Sequence, residues 1–134
     1  MILVNETSAS ASELVSGALQ DWEAATIIGE VTFGKGTVQS WRGLSNGGGV
    51  RITIARWLTP NGNWINEEGV TPDIIIEWEP EPGFFLDINA PEILAQDPQL
   101  QAAIDVLNGE TGEDVILETE ALPEAEDAEA LITE

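Results

Sequence analysis

The chain begins with a short apolar run and continues into a longer run with helical period. Ile2-Leu3-Val4 has the composition of a buried strand. From residue 11 onward, apolar side chains recur at i, i+3, i+4, i+7, i+8 and i+11, namely Ala11, Leu14, Val15, Ala18, Leu19 and Trp22. This spacing is typical of one face of an amphipathic helix. The pattern therefore predicts a strand that turns directly into a helix over residues 9–22, with Ser10 at or near the helix start.

The rest of the chain alternates between strand and helix patterns, which predicts an α/β (α+β mixed) fold. Strands are predicted over residues 2–5, 25–30, 37–44, 50–58 and 74–76. The turn Asn46-Gly47 favours a hairpin between the third and fourth strands, because Asn-Gly readily adopts positive φ angles. Residues 91–107 have the pattern of one helix, or of two helices broken at Pro98, and residues 115–117 allow a further short strand.

Charge is distributed very unevenly along the sequence. The formal net charge is −21, and all four basic residues lie within residues 1–56. Residues 110–134 are rich in acidic residues and contain neither a basic nor an aromatic residue. Such a composition offers little burial against the entropy of ordering, so we predict a domain over 1–109 and a mostly disordered acidic tail over 110–134. A surface of this sign repels nucleic acid and anionic membranes, so nucleic acid is not expected as a partner.

Ser10 has two interpretations that the local pattern leaves open. Ser10-x-x-Glu13 before an apolar run is a capping box, in which the hydroxyl would stabilise the helix by about 1 kcal/mol. In the second interpretation Ser10 is a nucleophile, because a serine at a strand-to-helix turn lies beside free helix N–H groups. Those groups can stabilise an oxyanion.

A nucleophilic serine needs a base, and the composition limits the candidates. The chain contains no His and no Cys, so a Ser-His-Asp triad and a Cys/His metal site are excluded within it. Lys35 is the only lysine, and Gly34 and Gly36 on either side allow the backbone to bend and another segment to approach closely. A lysine acts as a base when burial lowers its pKa. The alternative is an ordinary solvated turn lysine.

Four segments, in this order, resemble the C-terminal processing peptidases, also called tail-specific proteases. The segment 3–13 (LVNETSASASE) is similar to the nucleophile motif of that family, and 29–39 (GEVTFGKGTVQ) is similar to its lysine motif. Two further family segments resemble residues 55–62 and 68–73. The resemblance covers about residues 1–80, with a weaker similarity at 97–103.

The resemblance implies a serine endopeptidase with a Ser–Lys dyad that acts on the C-terminal regions of protein substrates. It implies Ser10 as nucleophile, Lys35 as general base and Gln39 as the residue that orients the lysine, and the backbone N–H of Ala11 as one oxyanion donor. On pattern alone, Gln39 is equally well a surface residue of a strand. No metal or cofactor is implied. The implied fold is a crotonase-like or ClpP-like arrangement of ββα units, usually accompanied by a PDZ domain.

The sequence differs from the family pattern in what it lacks. We expect a fragment of the catalytic domain, inactive by itself, because the upstream PDZ domain and the strand with the second oxyanion donor are missing. The full-length parent is expected to be extracytoplasmic, periplasmic or membrane-associated, although this chain has no targeting signal. The alternative function is a non-catalytic interaction module that forms a homo-oligomer by strand exchange through exposed strand edges.

Overall fold

The computed structural model describes residues 1–80, 96–112 and 115. The chain divides into two compact units, Met1–Glu77 and Trp78–Glu134, which are described separately. Within the described residues, no helix is long and apolar enough to cross a membrane. The predicted tail over 110–134 lies mostly outside the described residues, and both its disorder and the predicted domain boundary at residue 109 stay predictions.

The first unit is built around a three-stranded parallel sheet. Its strands are β1 (Ile2–Val4), β2 (Ile27–Gly29) and β5 (Ile74–Ile75), in the order β1-β2-β5. Helix α1 (Ala11–Asp21) connects β1 to β2, as the sequence predicts. The register pairs Ile2 with Ile27 and Ile28 with Ile74. The predicted strand positions are confirmed, although each of these strands is shorter than the pattern indicated.

The central strand β2 forms the middle of the core. Ile27 and Ile28 are 0% exposed, and Val4, Ile74, Ile65 and Val70 are also buried. Its hydrogen bonding is completed by a side chain, because the Ile27 N–H donates to Asp73 Oδ2 at 2.8 Å. The apolar, β-branched composition that predicted a strand here is therefore the composition of a strand covered on both faces.

Helix α1 buries a different face from the one that its apolar period predicted. Glu13, Ser16 and Gly17 are buried, whereas Leu14 and Val15 are 49% and 52% exposed. A side chain at Gly17 would lie 3.1 Å from Thr59 Cγ2, so the small residue lets the helix approach its neighbours. The apolar period therefore does not mark the buried face of α1, because close approach and a hydrogen-bonded carboxylate decide which face is buried.

A two-stranded antiparallel hairpin follows the sheet strands. It comprises β3 (Thr37–Gly43) and β4 (Gly49–Arg56), and the predicted turn at residues 45–48 joins them. The register shifts between Val38 and Gln39, so β4 carries a bulge there. Every residue of β4 is exposed. A hydrogen bond fixes the base of the hairpin, where the Trp57 N–H donates to the Gly36 carbonyl at 3.2 Å.

The second unit contains one described helix, α2 (Pro98–Asn108). Asp97 caps it by accepting from the Leu100 N–H at 2.9 Å, and Gly109 ends it with a φ of 104°. This confirms the predicted helix after Pro98 and its glycine cap, while the part predicted over 91–95 lies outside the described residues. Residue 115 is helical and buried, and its N–H donates to the Thr111 carbonyl. The short strand suggested over 115–117 is therefore wrong at Val115.

Candidate active site

Two loops leave the parallel sheet at the same edge. Ser10 lies in the loop after β1, and Lys35 lies in the loop after β2. Because β1 and β2 are parallel, their carboxyl ends meet at one edge of the sheet. The Phe33 N–H donates to the Ser8 carbonyl at 3.0 Å, which joins the two loops directly. Two residues that are 25 positions apart in sequence are thereby brought into one region.

The backbone of Ser10 is strained. Its φ is 56° and its ψ is −107°, a conformation that non-glycine residues rarely adopt. Such a conformation costs on the order of 1–3 kcal/mol and occurs mainly at functional sites. A serine in a strained strand-to-helix turn is also the geometry of a nucleophile elbow, which exposes the hydroxyl. The local geometry therefore favours the nucleophile interpretation.

The capping interpretation of Ser10 is only half supported. The residues have the outline of a capping box, and the Ser10 N–H donates to Glu13 Oε2 at 2.6 Å. The Ser10 side chain is also directed at the Glu13 N–H in the capping box, although it makes no side-chain hydrogen bond of full cap geometry. The carboxylate thus satisfies the Ser10 N–H.

Glu13 connects the two loops. Its side chain is 0% exposed and accepts four hydrogen bonds. Oε2 accepts from the Ser10 N–H and from the Lys35 N–H at 2.9 Å. Oε1 accepts from the Gly34 N–H at 2.6 Å and from the Thr32 hydroxyl at 2.7 Å. Since one oxygen atom bonds both the Ser10 and the Lys35 amides, Glu13 holds the two residues a few ångströms apart.

The buried carboxylate of Glu13 is kept ionised by its donors. Burial by itself raises the pKa of the Glu13 carboxyl. The hydrogen bonds from Thr32 and from the Lys35, Gly34 and Ser10 amides outweigh burial and hold that pKa below its ordinary value. Each donor favours the charged form, so the negative charge is stable without a cationic partner.

The Lys35 loop is shaped by its two glycines, as the sequence predicts. Gly34 has a φ of 82°, and a Cβ there would lie 2.9 Å from the backbone nitrogens of Glu67 and Gly69. A Cβ on Gly36 would lie 2.9 Å from the Asn66 nitrogen. The neighbouring segment can therefore pack onto the loop only because both residues lack side chains. Thr32 contributes a further link, since its hydroxyl accepts from the Val70 N–H at 2.7 Å.

Ser10 and Lys35 line the same open groove, which has a volume of about 510 Å³. Ala11 and Gln39 also line it, together with Leu14, Thr37, Val38, Trp41, Arg51 and Trp57. Ala11 is the first residue of α1, so its N–H lies at the positive end of the helix. Gln39 is exposed on β3, and no hydrogen bond joins it to Lys35 among the described residues. Its predicted role in orienting the lysine stays a prediction.

The geometry identifies no metal centre. Over residues 1–80, 96–112 and 115, no group of three or more acidic side chains is placed to hold a metal ion. The groups that line the groove include the Ser10 hydroxyl, the Lys35 amine and the Arg51 guanidinium.

Comparison with known proteins assigns the chain to a family. The model of peptidase family S41 matches residues 1–76, which include both loops. This chain belongs to peptidase family S41. The match confirms the resemblance recognised from the four sequence segments.

Several relatives of this S41 chain are named as processing proteases. A carboxyl-terminal-processing protease from Synechocystis sp. is 45% identical over 110 residues, which is 81% of this chain and 24% of the relative. One from Bartonella bacilliformis is 52% identical over 77 residues, 58% of this chain and 18% of the relative. A photosystem II D1 C-terminal processing protease of known structure is 49% identical with a TM-score of 0.53, covering 57% of this chain and 20% of that one. The chain thus spans less than a quarter of the relatives' length, and its α/β fold agrees with part of their structure.

One site residue was missed by sequence reasoning. Glu13 was interpreted only as the partner of Ser10 in a capping box. Its bonds to Thr32, Gly34 and Lys35 join residues about twenty positions apart, and no local pattern reports them. The available signal was the position of Glu13, the acidic residue in the first turn of the helix that follows Ser10.

Proposed function

We propose that the chain carries the catalytic centre of a serine endopeptidase that uses a Ser–Lys dyad. Ser10 is the nucleophile, Lys35 is the general base, and the Ala11 N–H is one oxyanion donor. Gln39 orients the lysine when substrate is bound. Glu13 is a positioning residue that holds the nucleophile loop and the base loop at a fixed separation.

The reaction follows from these groups. Ser10 Oγ bonds to the scissile carbonyl carbon while the amine form of Lys35 takes the hydroxyl proton. The carbonyl oxygen becomes an oxyanion, which accepts from the Ala11 N–H. The C–N bond then breaks as Lys35 returns the proton to the leaving amine. Water hydrolyses the acyl-enzyme in a second step of the same kind, with Lys35 again as base.

The single observation that carries the proposal is the shared oxygen of Glu13. Glu13 Oε2 accepts from the amides of both Ser10 and Lys35, and Ser10 has a strained backbone beside it. A capping serine needs neither the strain nor a link to the loop that contains the only lysine. An arrangement that fixes a hydroxyl relative to an amine is what proximity catalysis requires.

The substrate class and the compartment are part of the proposal. Relatives of this chain are named for carboxyl-terminal processing, so we assign protein substrates cleaved near their C-termini. We also place the parent protein outside the cytoplasm, in the periplasm or at a membrane. The acidic surface, with a net charge of −21, is consistent with protein substrates and with the absence of nucleic-acid partners.

The chain alone is expected to have little or no peptidase activity. Ser10 and Lys35 are both partly exposed in an open groove, so water competes with the substrate. One oxyanion donor is identified among the described residues, and loss of one such donor typically costs about 10²–10³ in rate. The chain spans less than a quarter of its relatives' length, and substrate-positioning residues outside that part would add to this cost.

A fluorophosphonate probe tests the proposed nucleophile. The expected result is covalent labelling at Ser10, located by mass spectrometry of the digested chain. Ser10→Ala should remove the label. Ser12→Ala is the matched control, because the exposed Ser12 hydroxyl donates to the carbonyl of Ala9, three residues earlier, and should not react. Labelling that survives Ser10→Ala would exclude Ser10 as the nucleophile.

A non-catalytic interaction module is the second candidate, and the hairpin favours it. Ile54 and Trp41 are 64% and 66% exposed, and apolar side chains lie on both faces of β3–β4. Such a hairpin can pair with a second copy through its open edge. Light scattering on the chain distinguishes the two candidates when combined with the probe. A stable oligomer without labelling at Ser10 supports the module, and labelling supports the enzyme.

A further inference from the structure

The groove that holds Ser10 has the opposite charge to the rest of the chain. The chain carries a net charge of −21. Among the residues that the structure describes, the groove is lined by two cationic side chains, Lys35 and Arg51, and by no carboxylate. Lys35 is assigned to proton transfer in the proposed function, on which this inference rests. Arg51 has no assigned role.

The hairpin register places Arg51 on the groove side. Arg51 pairs directly with Trp41, and Gln39 pairs with Thr53 two residues away on the same face. Trp41, Gln39 and Arg51 all line the groove. Arg42 follows Trp41 and so lies on the opposite face of β3, and it does not line the groove. Of the three arginines of the hairpin, Arg51 therefore lines the groove, Arg42 lies on the opposite face, and Arg56 lies at the base over Trp64.

Arg51 is not used to hold the structure together. The guanidinium of Arg56 packs over the Trp64 ring, 5.4 Å from its centroid, at the base of the hairpin. Across the part of the chain that the structure describes, no comparable partner and no ion pair is found for Arg51, which is exposed on β4. An arginine in a groove without a neighbouring acid is able to bind a carboxylate of a ligand, with its planar fork of donors.

We propose that Arg51 is a specificity-determining residue that binds an acidic side chain of the substrate, a few residues from the bond that Ser10 cleaves. Trp41 and Trp57 provide the apolar surface of the same groove on which the peptide lies. The substrate class is thereby narrowed to protein segments that carry an Asp or Glu at one fixed distance from the cleaved bond.

An acidic side chain fits the groove better than a terminal carboxylate does. The groove is open along the hairpin, where every residue of β4 is exposed, so a peptide can continue past Arg51. A site for a chain terminus would need a closed end. The acidic surface elsewhere does not prevent the contact, because charges separated by more than about 8 Å are largely screened at physiological ionic strength.

Peptide binding to the full chain with Ser10→Ala tests the proposal without requiring catalysis. The probes are short alanine-based peptides with an amidated C-terminus and one Asp moved through each position in turn, and each is compared with its Asn counterpart. Binding is followed by fluorescence anisotropy of the labelled peptide. At one position, the Asp peptide should bind about three- to fivefold tighter than the Asn peptide, the size expected of an exposed charge pair.

Two variants separate the proposal from a general charge effect. Arg51→Gln should abolish the preference for Asp, while Arg42→Gln, on the opposite face of the same hairpin, should keep it. Added salt should reduce the preference. An equal preference in the Arg51→Gln variant overturns the proposal. Tighter binding of a peptide with a free C-terminus than of one with an internal Asp also overturns the proposal. The absence of any peptide binding overturns it as well. If the probe fails to label Ser10 but the preference for Asp is retained, the proposed function is wrong and the role of Arg51 in binding an acidic side chain is still supported.

Discussion

The two halves of the groove are built in different ways. The loops with Ser10 and Lys35 are cross-linked by a buried carboxylate that accepts four hydrogen bonds, over a parallel sheet whose central strand is fully buried. The β3–β4 hairpin forms the other wall. It is exposed on both faces and is fixed mainly by its own ladder and by the contacts of Gly36 with Trp57 and Trp64.

This difference separates chemistry from recognition. Proton transfer between Ser10 and Lys35 depends on a separation held to within fractions of an ångström, and the buried Glu13 provides that rigidity. Binding of an extended peptide tolerates adjustment, and regions with few buried contacts are the ones that adjust at low cost. The molecule therefore places reacting groups on its most constrained loops and substrate contacts on its least constrained strands.

The largest effect is expected at the reacting groups. Ser10→Ala and Lys35→Ala should each reduce peptide cleavage by about 10⁴-fold or more in the full-length parent, and the double variant should be no worse than either. Lys35→Arg should also be inactive, because arginine cannot be deprotonated to act as a base. The measurement is kcat/KM for a quenched peptide. Substantial turnover by Lys35→Arg would remove Lys35 from the mechanism.

Glu13→Gln should cause the next largest effect, on stability as well as on rate. The amide retains the shape of the carboxylate but replaces one acceptor oxygen by an NH2 donor that faces other donors, so we expect a loss of about 2–3 kcal/mol in the free energy of unfolding, measured in urea. Glu6→Gln is the matched control, because Glu6 is exposed and its neutralisation should change stability by less than about 0.5 kcal/mol. Equal effects of both variants would show that Glu13 does not join the loops.

The same pair of variants has a defined pH dependence. The pKa of Glu13 is lower in the folded chain than its ordinary value of 4.5. Between these two values the unfolded chain binds more protons than the folded chain, so stability falls as pH falls. The difference in Tm between the native chain and Glu13→Gln should therefore be full at pH 7 and should shrink as pH falls through the lowered pKa. A difference that grows on acidification would contradict the assignment of the charge.

The sequence predicted the order of the elements and the two loops, but not the residue that joins them. Local periods and glycine positions were sufficient for β1, α1, β2, the hairpin and the helix after Pro98. They failed for the face of α1, where Glu13 and Ser16 are buried while Leu14 and Val15 are exposed. The buried face is determined by donors from residues 32–35, and a period within 11–22 contains no information about those long-range contacts.

Gly34→Ala should damage the constrained region, whereas Gly47→Ala should not. The two glycines have nearly equal φ angles, 82° and 83°, so the strain of adding a Cβ is similar. At Gly34 the Cβ also meets the backbone of Glu67 and Gly69, whereas at Gly47 it meets open space. We expect Gly34→Ala to cost about 1–3 kcal/mol more in urea unfolding, and to reduce labelling of Ser10. Equal costs would show that the loop relaxes freely.

The smallest effect is expected on the open face of the hairpin, and it tests the comparison most sharply. Ile54→Thr keeps the β propensity of a branched side chain and changes a residue that is 64% exposed, so the free energy of unfolding should change by less than about 0.5 kcal/mol. Ile28→Val, at a residue that is 0% exposed, should cost about 1 kcal/mol and serves as the control. A greater loss at Ile54 than at Ile28 would mean that the hairpin face is covered in solution. Light scattering at the same concentration would then show whether a second copy covers the hairpin. A dimer would favour the interaction module. A monomer in which Ile54→Thr is costly would contradict the exposed position of the hairpin.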